Sequence, residues 1–258
     1  MSLRQTWNAF DHYAYGVIAV VGTALGIAAI VWAMTTPLWG LFVGDMHLIA
    51  APFMNILGVL FGLTLAFLAN DTWSAHAQAR TAILREADAI RGLDVLIAQG
   101  VGDSGADMRS AVRAYAEMAT KEWQALARCE TLPEATRAAD ELLRQMALVE
   151  TGRGATGAIS KAMLDFIMEI RTNRGTRVGL SRTHVNPLKW LSMAFLGFLT
   201  LITIAVIQAG HPVTAMIAMS LFGIAAAPTA AIVLIHGNPF QPPYAVSPDK
   251  LLEALGDA

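Results

Sequence analysis

Four stretches of the chain are almost entirely apolar, and a long charged segment separates the first two from the last two. The stretches cover residues 13–34, 48–69, 188–209 and 213–235. No Asp, Glu, Lys or Arg occurs in the intervals 13–44, 46–70 and 190–248. Because a helix of about 20 apolar residues crosses the hydrocarbon of a bilayer, the pattern predicts four transmembrane helices.

The second apolar stretch continues into polar sequence without a break. In "NILGVLFGLTLAFLANDTWSAHAQAR", residues 55–80, the chain passes through Asn70 and Asp71 with no proline or glycine near that point. Proline and glycine are the residues that most strongly disfavour a helix. The pattern therefore predicts one helix that crosses the membrane and extends beyond it.

The segment between the second and third stretches is rich in alanine, leucine, glutamate and arginine, which favour helix. Its apolar residues recur at spacings of three and four, as in a helix with one buried face. This pattern predicts helices of about 71–99, 104–128, 132–150 and 157–182, the first being the extension of the second span. We expect the acidic residues of these helices to form solvated pairs with arginines four residues away, namely Glu86, Asp88, Glu117 and Glu122.

The overall composition is typical of a membrane protein. Hydrophobic residues make up 55% of the chain, charged residues make up 15%, and the mean hydropathy is +0.49, which few soluble domains combine. Of the 18 Lys and Arg residues, 16 lie in the interval 71–189. Because basic residues that flank spans stay on the cytoplasmic side, both termini and the central segment are predicted to be cytoplasmic. The net charge of -2 does not indicate a nucleic-acid partner.

The residue types that usually carry catalysis or bind metals form no recognisable set. Cys129 is the single cysteine, so no intramolecular disulfide is possible, and the Cys-His spacings of a zinc site are missing. The six histidines include no pair at the spacing of two metal ligands on one helix. No Gly-x-Ser-x-Gly turn presents a nucleophile. We therefore predict a protein that is not an enzyme, with no cofactor, no bound metal and no nucleic-acid partner.

Two neighbouring faces of the second span differ in character. Gly58, Gly62 and Ala66 recur every four residues, a spacing at which small side chains let membrane helices pack closely. The next face carries Asn55, Val59, Leu63, Phe67 and, one turn further on, Asp71. A polar residue within a span tends to face protein or water. This face therefore either lines a water-filled pore or lets Asn55 hydrogen-bond a neighbouring helix in a four-helix bundle.

Four segments of the sequence resemble one known family. They are "GLTLAFLANDTWSAHAQARTAILREADAI", "VRAYAEMATKEW", "RVGLSRTHVNPLKWLSMAFLGFLTL" and "NPFQPPYAVSPDKLLEAL". They are similar to the bacterial bestrophin-like family, a domain of unknown function that is distantly similar to the bestrophin anion channels. The resemblance covers roughly residues 56–255. The sequence departs from the bestrophin pattern at Gln78, where bestrophins have an acidic residue.

The resemblance implies a function and a set of residues. Bestrophins are homopentameric anion channels in which the second span lines a pore that has a narrow apolar neck and a helical cytoplasmic vestibule. The positions that match the neck are Val59, Leu63 and Phe67. An apolar ring lets a weakly hydrated anion pass more easily than a strongly hydrated cation. The resemblance thus implies an oligomeric channel, a pentamer by analogy, that conducts small inorganic anions such as chloride across a bacterial inner membrane.

Two other functions remain open at this point. A ring of Asp71 carboxylates, one turn beyond Phe67, would favour cations, so a cation-conducting channel of the same fold is one alternative. The other is a non-conducting membrane scaffold or sensor whose cytoplasmic helices bind a partner. No acidic cluster matches the calcium clasp of animal bestrophins, so calcium gating is not expected.

The expected architecture is all-α, with four transmembrane helices and a large helical cytoplasmic domain inserted between the second and third spans, in a bestrophin-like oligomer. The expected domains are a first transmembrane pair, a cytoplasmic helical domain, a second transmembrane pair and a cytoplasmic tail, at residues 1–70, 71–187, 188–236 and 237–258. The expected partners are the lipid bilayer, small inorganic ions and further copies of the chain. In the tail, "NPFQPPYAVSP" is expected to be extended, because prolines preclude helix, and to lie along the cytoplasmic domain or a neighbouring subunit.

Overall fold

The computed structural model describes residues 12–100, 105–151, 157–182, 187–242 and 244–254, and over these residues it is helical with no strand. The helices are, in chain order, α1 (His12–Met34), α2 (Pro37–Val43), α3 (His47–Gly100), α4 (Gly105–Lys121), α5 (Trp123–Ala127), α6 (Pro133–Thr151), α7 (Gly157–Arg182), α8 (Pro187–Ile207), α9 (Pro212–Ile235) and α10 (Asp249–Glu253). A 3₁₀ turn, Gly44–Met46, connects α2 to α3.

Within the residues that the structure describes, four helices contain a segment long and apolar enough to cross a membrane. These segments are Gly16–Met34, Leu48–Gln99, Leu188–Ile207 and Pro212–Ile235. The second is much longer than a bilayer requires, because α3 continues from apolar into polar sequence as one helix. The predicted all-α architecture, with four such helices and a large helical segment between the second and third, is confirmed.

The chain forms two compact units. The span unit comprises residues 1–73 and 185–237, and the polar unit comprises residues 74–184 and 238–258. The predicted domain limits after residues 70, 187 and 236 lie close to these divisions, while the assignment of each part to membrane or cytoplasm stays a prediction. Residues 1–11 and 255–258, at the ends of the first and last predicted domains, lie outside the described residues.

Within the span unit, the first and fourth spans pack closely at small residues. A Cβ atom added to Gly223 of α9 would lie 3.2 Å from the side chains of both Thr23 and Ile27 of α1. A Cβ atom added to Gly16 of α1 would lie 3.6 Å from side chains of α9. Membrane helices associate through such close van der Waals contact, because burial from lipid supplies little hydrophobic driving force.

The helices of the polar unit match the predicted ones closely, with one exception. The predicted helices 132–150 and 157–182 correspond to α6 and α7, and the helix 71–99 is part of α3. The predicted helix 104–128 is divided at Glu122 into α4 and α5. The connecting residues 101–104 and 152–156 lie outside the described residues. The shared core of the unit includes Ile83, Ile90, Leu93, Met108, Val112, Leu142, Met163, Ile167, Ile170, Phe240 and Leu251.

The expectation that Glu86 forms a solvated pair on its own helix is wrong. Glu86 is fully buried, and its carboxylate accepts hydrogen bonds from Arg177 Nε and Nη2 at 2.7 and 2.8 Å. The Tyr115 hydroxyl donates to the same carboxylate at 2.6 Å. The partners come from α4 and α7, so this cluster joins three helices. Glu86 lies on the buried face of α3, where Ile83 and Ile90 are three and four residues away.

The same correction applies to Glu122. It is fully buried and accepts hydrogen bonds from Arg174 Nη2 and Nε at 2.7 and 3.1 Å. The backbone N–H of Leu132 donates to it at 3.3 Å. The helix is interrupted at this residue, where the side chain enters the core. Of the remaining acids, Asp88 forms an exposed pair with Arg91 at 3.4 Å, but at a spacing of three residues where four was expected. Glu117 is in none of the ion pairs of the described residues.

The environment of the buried cluster shifts the pKa values of Tyr115 and Arg177. Burial, and then the neighbouring Glu86 carboxylate, raise the pKa of the Tyr115 phenol well above its usual value. Burial alone would lower the pKa of the Arg177 guanidinium, but attraction to Glu86 outweighs this effect and raises the pKa. Tyr115 therefore remains a hydrogen-bond donor and Arg177 remains a cation. The Arg177 guanidinium also lies over the Trp123 ring, 4.8 Å from the centroid.

The tail packs against the polar unit of its own chain. The Asn238 amide donates to the carbonyl of Leu126 at 3.0 Å, so that it satisfies a carbonyl at the end of α5. The Phe240 ring contacts the Trp123 ring edge to face at 5.5 Å, and Trp123 Nε1 donates to the carbonyl of Val246 at 2.7 Å. Of the two expected placements of the tail, the described residues therefore show the one along the helical domain. After the prolines, α10 adds a final short helix.

Candidate functional site

The second span is held in the span unit by one face of α3. Leu57, Leu68 and Thr72 on this face are almost completely buried. Phe61, on the same face, contacts Phe222 of α9 with ring centroids 5.3 Å apart. These positions follow the three- and four-residue spacing of a single helical face. The opposite face is therefore left on the surface of the unit.

The predicted pore-lining residues all lie on this opposite face. Val59, Leu63 and Phe67 are 62%, 51% and 67% exposed, and Asn55 and Asp71 are also exposed. In the part of the chain that the structure describes, no hydrogen bond joins Asn55 to a neighbouring helix. The arrangement differs from a bundle that buries Asn55 internally. It leaves a row of apolar side chains available to contact water, lipid or another subunit.

The predicted helix-packing residues do not pack within the span unit. Gly58, Gly62 and Ala66 are exposed, and no heavy atom lies within 4 Å of a Cβ added to Gly58 or Gly62. Their row neighbours the apolar row on the same helix. Close helix approach at these residues therefore stays a prediction, and it concerns contacts between copies of the chain.

Asp71 has a partner that its own helix does not provide. The Lys189 ammonium, three residues into α8, donates a hydrogen bond to Asp71 Oδ2. The Lys189 side chain is 54% exposed and the Asp71 side chain is 50% exposed. The carboxylate at the end of the apolar row is thus neutralised by a cation from the third span. Sequence spacing cannot reveal a contact between residues this far apart in the chain, although Lys189 is the one basic residue at the start of that span.

The span unit also contains an apolar cavity of about 610 Å³, separate from the exposed row. It is lined by α1, α8 and α9 and, from α3, by Phe61 on the anchored face. Small residues such as Gly22 and Gly26 leave the space open. Its lining includes no acidic or basic residue. Elsewhere, no group of three or more His, Cys, Asp or Glu side chains within the described residues is placed to bind a metal ion.

Comparison with known proteins identifies the family. Residues 21–251 match the family model of the bestrophin-like domain. The chain belongs to the bestrophin-like family. The resemblance stated from the sequence motifs is therefore confirmed. No curated protein matches the sequence of this bestrophin-like chain.

Solved structures share the fold of this bestrophin-like protein. A crystal structure of a bacterial bestrophin homologue from Klebsiella pneumoniae that carries a point mutation is 16% identical, with a TM-score of 0.65 over 93% of this chain and 100% of that one. Another crystal structure of the Klebsiella pneumoniae homologue is 13% identical, with a TM-score of 0.66 over 94% and 99%. A structure described as a membrane protein is 13% identical, with a TM-score of 0.67 over 94% and 99%. At these identities the likeness establishes the fold.

Proposed function

We propose that this protein is an oligomeric membrane channel that conducts small inorganic anions such as chloride. The observation that carries the proposal is the row of Val59, Leu63 and Phe67, exposed on one face of a membrane-spanning helix whose other face is anchored in its own unit. In a closed ring of subunits, this row faces a central axis. Each residue then contributes one apolar ring to a narrow neck.

A symmetric ring is what turns an exposed helix face into a pore. Homo-oligomers with closed cyclic symmetry repeat the same contact around an axis, and the bestrophin-like family makes a pentamer the favoured number by analogy. The exposed small residues Gly58, Gly62 and Ala66 supply a surface on which a neighbouring helix can approach α3. We place the protein in the bacterial inner membrane. Most of its Lys and Arg residues lie between the second and third spans, and basic residues that flank spans stay in the cytoplasm, so we place the polar unit and both termini on the cytoplasmic side.

The ion pair between Asp71 and Lys189 favours the conduction of anions over that of cations. A ring of unpaired Asp71 carboxylates would attract cations at the end of the neck. The Lys189 ammonium cancels that charge within each subunit. The apolar neck is then the dominant filter, and it favours ions that lose water easily, such as chloride.

Planar-bilayer recording of the purified protein in asymmetric potassium chloride tests the proposal. The expected reversal potential follows the chloride gradient. A reversal potential that follows potassium supports the cation-conducting alternative instead. Absence of current from a folded, oligomeric sample supports the membrane scaffold or sensor.

Leu63→Ala tests the neck directly. Shortening this side chain widens the apolar constriction and reduces the free energy needed to wet it, so we expect single-channel conductance to rise severalfold. Leu25→Ala is the matched control, because Leu25 lies on α1, is 65% exposed and is outside the row. Equal conductance for Leu63→Ala and the wild type would remove Leu63 from the permeation path.

A further inference from the structure

The span unit has few charged side chains, and two of them form a pair. In its described residues, 12–73 and 187–237, the Asp, Glu, Lys and Arg positions are Asp45, Asp71 and Lys189. Lys189 comes from α8 and Asp71 from α3, so the pair joins the third span to the second. Charged residues near a membrane core usually pair with one another, because an isolated charge is costly there.

The pair is positioned at the end of the apolar row. Asp71 follows Phe67 by one helical turn on the same face of α3, and both are exposed. About half of each charged side chain is accessible. An ion that leaves the neck would therefore meet the carboxylate and the ammonium together. The charge it experiences depends on both residues.

We propose that Lys189 keeps the channel from favouring cations, because it neutralises Asp71 at the mouth of the neck. This inference rests on the proposed function, because it requires the row to line the pore. Without Lys189, each subunit would present one uncompensated negative charge to the permeating ion. With Lys189 present, the ring of Asp71 and Lys189 side chains is neutral, and the apolar neck selects between anions and cations.

The pair acts on ions more than on folding. An ion pair that is half exposed contributes little to stability, because water already solvates both charges. Loss of Lys189 therefore leaves the span unit folded while it changes the local charge. The charge effect is also sensitive to salt, because the Debye length falls from about 10 Å at 0.1 M to about 3 Å at 1 M.

The test measures reversal potentials of the full-length protein in asymmetric potassium chloride. A unit charge about 4 Å away in water changes the population of a monovalent ion by roughly fivefold, in opposite directions for potassium and chloride. For Lys189→Met we therefore expect the potassium-to-chloride permeability ratio to rise by roughly thirtyfold. The rise should shrink at 1 M salt. Asp71→Asn should lower the ratio, and the double variant should return it to the wild-type value. Lys189→Arg, which keeps the charge, is the matched control.

Lys189→Cys provides the same test within one folded sample. A positively charged methanethiosulfonate reagent added to the recording chamber restores a cation at this position, and the reversal potential should return toward the wild-type value. A negatively charged reagent should move it further toward potassium. The wild type, whose single cysteine is Cys129, receives both reagents as the control.

The outcomes separate the two proposals. An anion-selective wild type whose reversal potential is unchanged in Lys189→Met and in modified Lys189→Cys overturns this inference alone. A wild type that follows potassium overturns the anion channel, and the role of Lys189 then stands only if Lys189→Met raises the permeability ratio further. A wild type without current overturns both.

Discussion

Arg177 and Glu86 are two opposite charges with no exposed surface, and a third buried charge, Glu122, lies 4.0 Å from Arg177 Nη1. Removing a charge from water costs several kcal/mol, so a buried pair is tolerated only when hydrogen bonds satisfy it well. Glu86 receives two hydrogen bonds from Arg177 and one from Tyr115. The arrangement fixes the relative positions of α3, α4 and α7 inside the polar unit, because each contributes one member.

Glu86→Gln should strongly destabilise the polar unit. The substitution removes the carboxylate closest to the buried Arg177 cation and leaves only Glu122, 4.0 Å from Arg177 Nη1, to balance its charge. We expect a loss of about 3 kcal/mol, the lower end of the cost of breaking a buried pair. Thermal unfolding of the full-length protein in detergent, followed by near-ultraviolet circular dichroism, measures the effect. Replacing both partners, with Glu86→Leu and Arg177→Met, should be less damaging than Glu86→Gln alone.

An exposed ion pair gives the comparison for Glu86. The Arg144 hydrogen bonds lower the pKa of Glu141 to about 2, yet both side chains lie on the surface of α6. Water screens such a pair, so Glu141→Gln should leave the unfolding temperature almost unchanged. If Glu86→Gln and Glu141→Gln lowered the unfolding temperature by similar amounts, burial would not be what makes the Glu86 pair important.

At the scale of elements, the contact between α3 and α7 depends on the absence of a side chain. A Cβ atom added to Gly92 of α3 would lie 2.5 Å from Cζ of Phe166 on α7, and 2.9 Å from both Cε atoms. These distances are too short for carbon atoms in contact. The ring therefore lies directly over the backbone of α3, where only glycine leaves room for it.

Gly92→Ala should destabilise the polar unit although alanine favours helix. The gain in helix propensity is about 1 kcal/mol, and overpacking against the Phe166 ring costs typically 1–3 kcal/mol. Gly175→Ala on α7 is the matched control, because a Cβ there meets nothing within 4 Å, and it should be stabilising. Adding Phe166→Leu to Gly92→Ala should recover part of the loss in the same thermal unfolding measurement. Equal effects at both glycines would contradict the predicted clash.

Much of the element structure could be predicted from local patterns, and the contacts between elements could not. Spacing of apolar residues located α6 and α7 to within one residue, since helix periodicity is a local property. The contact of Glu122 with Arg174 was missed, because the two residues are 52 positions apart and no local pattern connects them. Glu86 did leave a signal in the sequence, since it falls on the apolar face of its helix beside Ile83 and Ile90.

The candidate site shows the same limit. The row of Val59, Leu63 and Phe67 follows from helical spacing, and the structure adds that this face is the exposed one. The sequence suggested that Asp71 would carry an uncompensated charge. Its pairing with Lys189 spans 118 residues and two helices, so it depends on the tertiary packing of the spans, which no local pattern encodes.

At the scale of the whole molecule, the exposed row of small residues on the second span is where we expect copies of the chain to meet. Gly58, Gly62 and Ala66 are exposed on the span unit, and a Cβ added to Gly58 or Gly62 meets no other helix within 4 Å. A substitution there changes little inside one copy. Its effect therefore reports on the contact between copies.

Gly62→Leu should weaken the oligomer and leave the single chain folded. A leucine side chain holds a neighbouring helix away from α3, because close helix approach needs small residues. Native mass spectrometry of the detergent-solubilised protein should show a closed ring for the wild type and smaller species for Gly62→Leu. Gly62→Ala, which adds a single methyl group, is the control that should keep the ring. A full-sized ring for Gly62→Leu would place the subunit contact on another face.

The placement of Phe240 and Leu251 has a consequence for the order of biosynthesis. Both belong to the core that holds Ile83 and Ile90, yet the ribosome adds them only after α8 and α9 have been made. Chains begin to fold from the N-terminal side as they emerge. The core of the helices that follow the second span therefore stays incomplete until the later spans have been made and Phe240 and Leu251 can pack against it. A delay in inserting those two spans would expose this unfinished core to chaperones and proteases.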